Sequence, residues 1–203
     1  MNIYIARHGE NEDNANGILN GHRDLPLTLK GYDQARFLGD KIKETGIVFN
    51  KIYSSPLTRA AETAIIVARK IGISNLEYHE ALIERDFGVM TGLKVSQIEE
   101  VCGDRVIKAE HITYFLDPPE AETFLDLLAR ANKFLLELEA NYADNENILL
   151  VCHGDIGKMI YADFYGLEWR DVLVNFHFGN CDLLLVSRDS PKEDAHVFEF
   201  KNI

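Results

Sequence analysis

Apolar residues in this chain fall into short runs separated by polar stretches, and their spacing switches between two periods. N-I-Y-I-A at residues 2–6 is a compact apolar run that ends at the polar segment after Gly9, which predicts a short buried strand. Residues 51–55 and 148–152 read the same way, the second being the most strand-like run in the chain. Residues 77–79, 183–187 and 197–200 are shorter strand candidates. Between them the spacing becomes helical. Pro26 and the segment 27–31 lead into a helix carrying Ala35, Phe37, Leu38 and Ile42, with Thr28 as its N-cap. Residues 57–71 repeat Ala, Ile and Val at helical spacing and stop at Gly72. A short helix is predicted over 95–101, a long amphipathic one over about 121–141, and a helical segment from Gly154 onward. Strands alternating with helices predict a three-layer α/β/α fold with a mostly parallel central sheet. Repeats, low-complexity tracts and linkers are absent from the sequence. Residues 1–203 are therefore expected to form a single domain, with a small inserted cap at about 89–122.

Composition narrows the partners. A hydrophobic content of 46% suits a globular core, and 33 acidic against 21 basic side chains leave a formal charge of −12. Such a surface repels phosphate backbones, so nucleic acid is not an expected partner. A small anionic substrate would need a local basic pocket set against that field. Cys102, Cys152 and Cys181 are odd in number and lack metal-ligand spacing, which fits buried free thiols in a reducing compartment. With no signal-like leader and no apolar stretch of spanning length, a cytoplasmic protein without a membrane partner is expected.

Candidate chemistry gathers at the predicted strand ends, where α/β sheets carry their functional loops. The first strand ends in Arg7-His8, the second in Ser54-Ser55 with Arg59 close behind, and the strand at 148 in His153-Gly154. Neutral imidazole is available at physiological pH as a nucleophile. A phosphoryl group in transfer spreads charge over three oxygens, and arginine supplies paired donors that suit it. Two arginines and a second histidine around a nucleophilic histidine would make a phosphoryl-transfer site that needs neither metal nor cofactor. A nearby carboxyl would have to protonate the leaving oxygen.

The motifs at these strand ends resemble those of the histidine phosphatase superfamily. R-H-G-E at Arg7 to Glu10 is similar to its signature, and Asn14 stands at the place of a phosphate-contacting asparagine. G-H-R-D-L-P-L-T-L-K-G-Y-D-Q-A begins at Gly21 and S-S-P-L-T-R-A-A-E-T-A at Ser54. L-I-E-R-D-F-G-V-M-T-G begins at Leu82 and L-V-C-H-G-D at Leu150. All follow the family's order. The resemblance implies that His8 attacks phosphorus and carries a phosphohistidine, while Arg7, Arg59 and His153 hold the oxygens with Asn14. It makes Glu84 the proton donor, with Asp155 an outlying candidate for that role. Gly21, His22, Arg23 and Gly154 are the further substrate-binding candidates, and Gly9 is read as giving the backbone room near the phosphoryl group.

Departures from the family pattern bear on the substrate. Ile18 stands where many relatives carry arginine, with Arg23 a candidate to replace part of that contact. Between Gly92 and Pro118 there is no tandem-arginine segment of the mutase kind; Arg105, Lys108 and His111 are its basic groups. The short insert favours hydrolysis. D-P-P-E-A-E-T from Asp117 resembles a phosphatase segment, with Ala121 in place of the usual glycine and Glu122 and Thr123 expected to border the pocket. The leading expectation is a metal-independent phosphomonoesterase for a small phosphorylated metabolite. Two alternatives stay open, a cofactor-dependent phosphoglycerate mutase and a catalytically silent phosphate-sensing or docking module. Phosphosugars, phosphoglycerates, nucleotide- or cobalamin-pathway phosphomonoesters and phosphoproteins all stay open as substrates, as does the oligomeric state.

Overall fold

The computed structural model describes residues 1–110 and 112–200. Its centre is a six-stranded sheet in the order β3-β2-β6-β1-β7-β8. These strands are β1 (Asn2–Arg7), β2 (Lys51–Ser54), β3 (Leu76–Tyr78), β6 (Asn147–Cys152), β7 (Leu183–Val186) and β8 (His196–Phe198). β1, β2, β3 and β6 pair in parallel, whereas β7 runs antiparallel to both β1 and β8. β1 and β6 lie at the centre and are continuously apolar because both of their faces are covered.

Alternation along β1 distributes its side chains to two cores. Tyr4 and Ala6 pack with Leu38, Ile42, Ala60, Ala64 and Val67 from α2 (Leu29–Thr45) and α3 (Thr58–Ile71). Ile3 and Ile5 face Leu127, Phe134, Ile156 and Met159 from α5 (Phe124–Asn141) and α6 (Gly154–Tyr165). The result is three layers. Thr28 caps α2 through the Gly31 N–H, and Gly72 ends α3 in the left-handed conformation at φ 76°. α5 starts at Phe124, later than its apolar spacing implied, because Thr123 and Asp126 close a reciprocal cap there.

Residues 95–102 form a single 3-10 turn followed by α4 (Ile98–Cys102). A two-stranded hairpin of β4 (Val106–Lys108) and β5 (Thr113–Phe115) comes next, with Ile98, Cys102 and Phe115 packed on Phe87 and Met90 as a small separate core. Ala121 pairs with Phe87 across an isolated bridge, and the left-handed turn falls on Glu120 (φ 64°), so alanine fits where glycine was expected. His111 lies outside the described residues. Two further helices are α1 (Glu12–Asn16), which has no apolar face, and α7 (Trp169–Asn175), which buries Trp169, Val172 and Leu173. All three cysteines are buried and free. No helix among the described residues is long and apolar enough to cross a membrane.

Candidate active site

The parallel strands end on one side of the sheet, and there the topology places His8 after β1, Ser55 after β2 and His153 after β6. His8 is almost fully buried, and its ring centroid lies 5.0 Å from that of His153. Its Nδ1 is 2.6 Å from the Gly9 carbonyl, which can only accept, so Nδ1 carries the proton. The lone pair is left on Nε2, which receives Arg59 Nε–H at 3.3 Å. Burial, then the charges of Arg59 and Arg7, hold the His8 pKa well below the ordinary 6.5, so the ring is neutral at pH 7.

Three further cationic or donor groups surround that ring. Arg59, in the first turn of α3, donates Nη1–H to the Arg23 carbonyl at 2.6 Å and Nη2–H to the Gly21 carbonyl at 3.0 Å. Burial brings its pKa down to about 10, which leaves it charged. Arg7 donates Nη1–H to the Phe178 carbonyl at 2.8 Å, while its buried Nε has no partner. In His153, Nε2 lies 2.8 Å from Ser55 Oγ, which itself accepts the Leu57 N–H. The serine hydroxyl can therefore donate to Nε2 and leave the proton on Nδ1, which is buried and unpartnered. Two orphaned buried donors beside one histidine are rare unless a ligand completes them. An oxyanion would do so.

Glu84 closes the site from the other side. Its Oε1 accepts the backbone N–H of Arg85 (3.0 Å), Asp155 (3.2 Å) and Ile156 (3.2 Å), the last two from the first turn of α6. Burial, then the nearby Asp155 charge, raises its pKa, and the backbone donors oppose that rise only in part. Asp155 is engaged differently, receiving Arg85 Nε–H at 2.8 Å. Glu84 is thus the carboxyl better suited to hold a proton for a leaving group.

Arg7, His8, Asn14, Arg59, Glu84 and Gly154 line a cavity of about 190 Å³, whereas fully buried His153 stands beside the His8 ring outside that lining. Asn14 Oδ1 is occupied by the Asn11 N–H and the Asn180 side chain, which turns its amide donors to other partners. Gly21, His22 and Arg23 sit behind the cavity instead of in its lining. The Gly21 and Arg23 carbonyls clamp Arg59. His22 Nε2 lies 2.8 Å from the Glu84 carbonyl, and Arg23 Nε pairs with buried Asp13 at 2.7 Å. Ile18 forms an apolar stretch of the wall, and Arg23 is not among the residues that line it. Glu122 and Thr123 also stay outside, since Glu122 binds Arg130 and Thr123 caps α5. Gly9 has a different reason from the one expected. A Cβ there would lie 2.5 Å from the Gly31 carbonyl oxygen, so its bareness lets the loop pack on α2.

A model of the "Histidine phosphatase superfamily (branch 1)" matches residues 3–199. The chain belongs to this superfamily. It is 30% identical over 174 residues to a 2,3-bisphosphoglycerate-dependent phosphoglycerate mutase of Bartonella tribocorum, covering 84% of each chain. Among solved structures it resembles Bacillus stearothermophilus YhfR, with 26% identity, TM-score 0.76 and coverage of 96% of this chain and 93% of that one. It also resembles the phosphoserine phosphatase of Entamoeba histolytica, solved with 3-phosphoglyceric acid, at 26% identity and TM-score 0.73. The coverage there is 91% and 89%.

Several residues around this candidate site carry no signal of their own in the linear sequence. Asn180 reaches the His8 carbonyl at 2.8 Å from 172 residues away, and Arg85, Tyr114 and Lys158 also line the cavity. Ser55, inside the S-S-P-L-T-R segment, and Arg85, inside L-I-E-R-D-F-G, could have been singled out by their neighbourhood.

Proposed function

We propose that this protein is a metal-independent phosphomonoesterase that hydrolyses a small phosphorylated metabolite through a phosphohistidine on His8. One observation carries the reading: the Gly9 hydrogen bond leaves the lone pair on His8 Nε2, which faces the Arg59 Nε–H beside the unpartnered buried Arg7 Nε and His153 Nδ1. A phosphoryl group seated there receives Nε2 at phosphorus as the P–O bond to the leaving group breaks. Arg7, Arg59, His153 and Asn14 take the charge that develops on its oxygens. Glu84, protonated at the start, gives its proton to the departing alkoxide. As a carboxylate it then removes a proton from water, whose oxygen attacks phosphorus and releases inorganic phosphate and neutral His8. Residues 89–122 act as the cap in this reading, contributing Phe87-packed hairpin residues to the wall. The wild-type protein incubated with excess chelator and a labelled phosphomonoester should yield an acid-labile phosphoenzyme, and His8→Ala should yield none. Labelling retained in His8→Ala, or hydrolysis abolished by the chelator, would overturn the assignment.

The relatives' naming favours a second reading, in which the phosphoenzyme returns its phosphate to a reoriented phosphoglycerate. Conversion of 3-phosphoglycerate to 2-phosphoglycerate with the bisphosphate present, faster than phosphate release, would support it over hydrolysis.

A further inference from the structure

We propose that Lys158 and Tyr114 form a second anion subsite, which selects phosphomonoesters bearing a carboxylate a few bonds from the phosphorus. The proposal rests on the phosphomonoesterase reading for the first anion and identifies the second. Gly154 lines the cavity against Arg7; a Cβ on it would lie 3.7 Å from the Arg7 Cζ. Lys158 is four residues further along α6, hence on the same face and roughly 6 Å up the axis. It also lines the cavity, as does Tyr114 of β5.

The pair offers donors and no free acceptor. Lys158 Nζ donates to Tyr114 Oη at 2.7 Å and to the Phe176 carbonyl, which leaves its third N–H. Tyr114 Oη, accepting that bond, keeps its own O–H to donate. Both side chains are buried, and they line this cavity as well as a smaller neighbouring recess formed with Ala109, Val174 and Asn175.

Charge leads to the same ligand. Four cations line the cavity, Arg7, Arg59, Arg85 and Lys158. Arg85 is balanced by Asp155, and a phosphate dianion balances Arg7 and Arg59. Among the described residues no carboxylate lies within 4.0 Å of Lys158 Nζ. A buried ammonium without a counter-ion is costly, and a bound anion removes that cost. Burial brings the Lys158 pKa down to about 8, so it is still mainly charged at pH 7. One cation with two donors fits a monoanionic carboxylate, whereas a second phosphate would leave excess negative charge.

3-Phosphoglycerate and glycerol 3-phosphate differ by a carboxylate in place of a hydroxymethyl group, so their ratio of kcat/KM for phosphate release reads the subsite. A charge-assisted hydrogen bond predicts a wild-type ratio of roughly ten to a hundred. Lys158→Met should bring the ratio near one and Tyr114→Phe should lower it in part. A wild-type ratio near one, or a wild-type ratio kept by Lys158→Met, would overturn the proposal, because a lysine that only ties the hairpin to α6 would leave discrimination intact. Calorimetric binding of the same pair to His8→Ala reads the subsite without turnover. A binding preference with no hydrolysis would then count against the hydrolytic reading alone.

Discussion

Replacing Glu84 by Gln isolates proton donation from everything else this side chain does. The backbone N–H groups of Arg85, Asp155 and Ile156 all meet Oε1 at 3.0–3.2 Å, and that of Asp155 also reaches Oε2 at 3.3 Å. A glutamine with its carbonyl in place of Oε1 keeps those three bonds and gives up only the longer Asp155 contact to Oε2. The main loss is then the proton. General acid catalysis contributes about a hundred- to ten-thousandfold, or roughly 3–5 kcal/mol of transition-state stabilisation. Glycerol 3-phosphate, whose alkoxide cannot leave unprotonated, should lose that much in kcat/KM. p-Nitrophenyl phosphate should lose far less, because its phenolate departs without a proton, and kcat/KM reports the step that forms the phosphoenzyme. Stability adds an independent check. Burial raises the carboxyl's pKa, so carrying it ionised opposes folding at any pH above that raised value. Glutamine removes this cost, and the Tm at pH 7.5 should be equal or higher. Steady-state kinetics on both substrates and a thermal melt decide the matter. Equal losses on the two substrates, or a loss on glycerol 3-phosphate below about threefold, would refute the assignment of Glu84 as the acid.

Other consequences follow from the same geometry. Burial holds the pKa values of His8 and His153 below the ordinary 6.5, so below that pH the unfolded chain binds more protons and stability should fall toward pH 5. Calorimetric Tm values should show a shallower fall in His153→Asn, and an unchanged slope would contradict the assignment. Ser55→Ala leaves His153 Nε2 buried without a partner, which should cost about 1–3 kcal/mol in urea unfolding and slow phosphoenzyme formation. Gly31→Ala would place a Cβ 2.0 Å from the Glu10 carbonyl oxygen, so overpacking of about 1–3 kcal/mol is expected in the same assay. A shift within error would mean that the Glu10 loop can yield. Around Lys158 stand Asp155, which favours its charge, and Arg7, which opposes it. The preference for 3-phosphoglycerate over glycerol 3-phosphate should therefore decline as pH rises through about 8.

What could be read in advance was whatever repeats at short range. Ile3, Ile5 and their neighbours alternate between two cores, and Ala60, Ala64 and Val67 recur at helical spacing, so the layers and their order followed from apolar periodicity. α1 is built from Glu-Asp-Asn-Ala-Asn, with no apolar face to betray it; its existence depends on the reciprocal Asn11–Asn14 cap. The hairpin strands β4 and β5 have three residues each, too few for alternation to register. The site divides along the same line. Arg7, His8, Arg59, Glu84 and His153 sit in local motifs at strand and helix ends, where a fixed turn dictates neighbouring residues. Asn180, Ser55 and Tyr114 act on partners about 40 to 170 residues distant, and only the packed sheet makes them neighbours.

That division separates the phosphoryl chemistry from substrate choice. The donors proposed to meet phosphate come from loops whose shape the sheet imposes, held by backbone groups such as the Gly9, Gly21 and Arg23 carbonyls. The surface beyond the phosphate joins a body helix to a hairpin, and Lys158 reaches across that joint to Tyr114. A change of hairpin residue can therefore retune the second subsite without moving His8, Arg7 or Arg59. Under this arrangement substrate preference should respond to substitution at Tyr114 and Ile112 while phosphoenzyme formation from p-nitrophenyl phosphate, which needs only the first anion, continues to depend on His8.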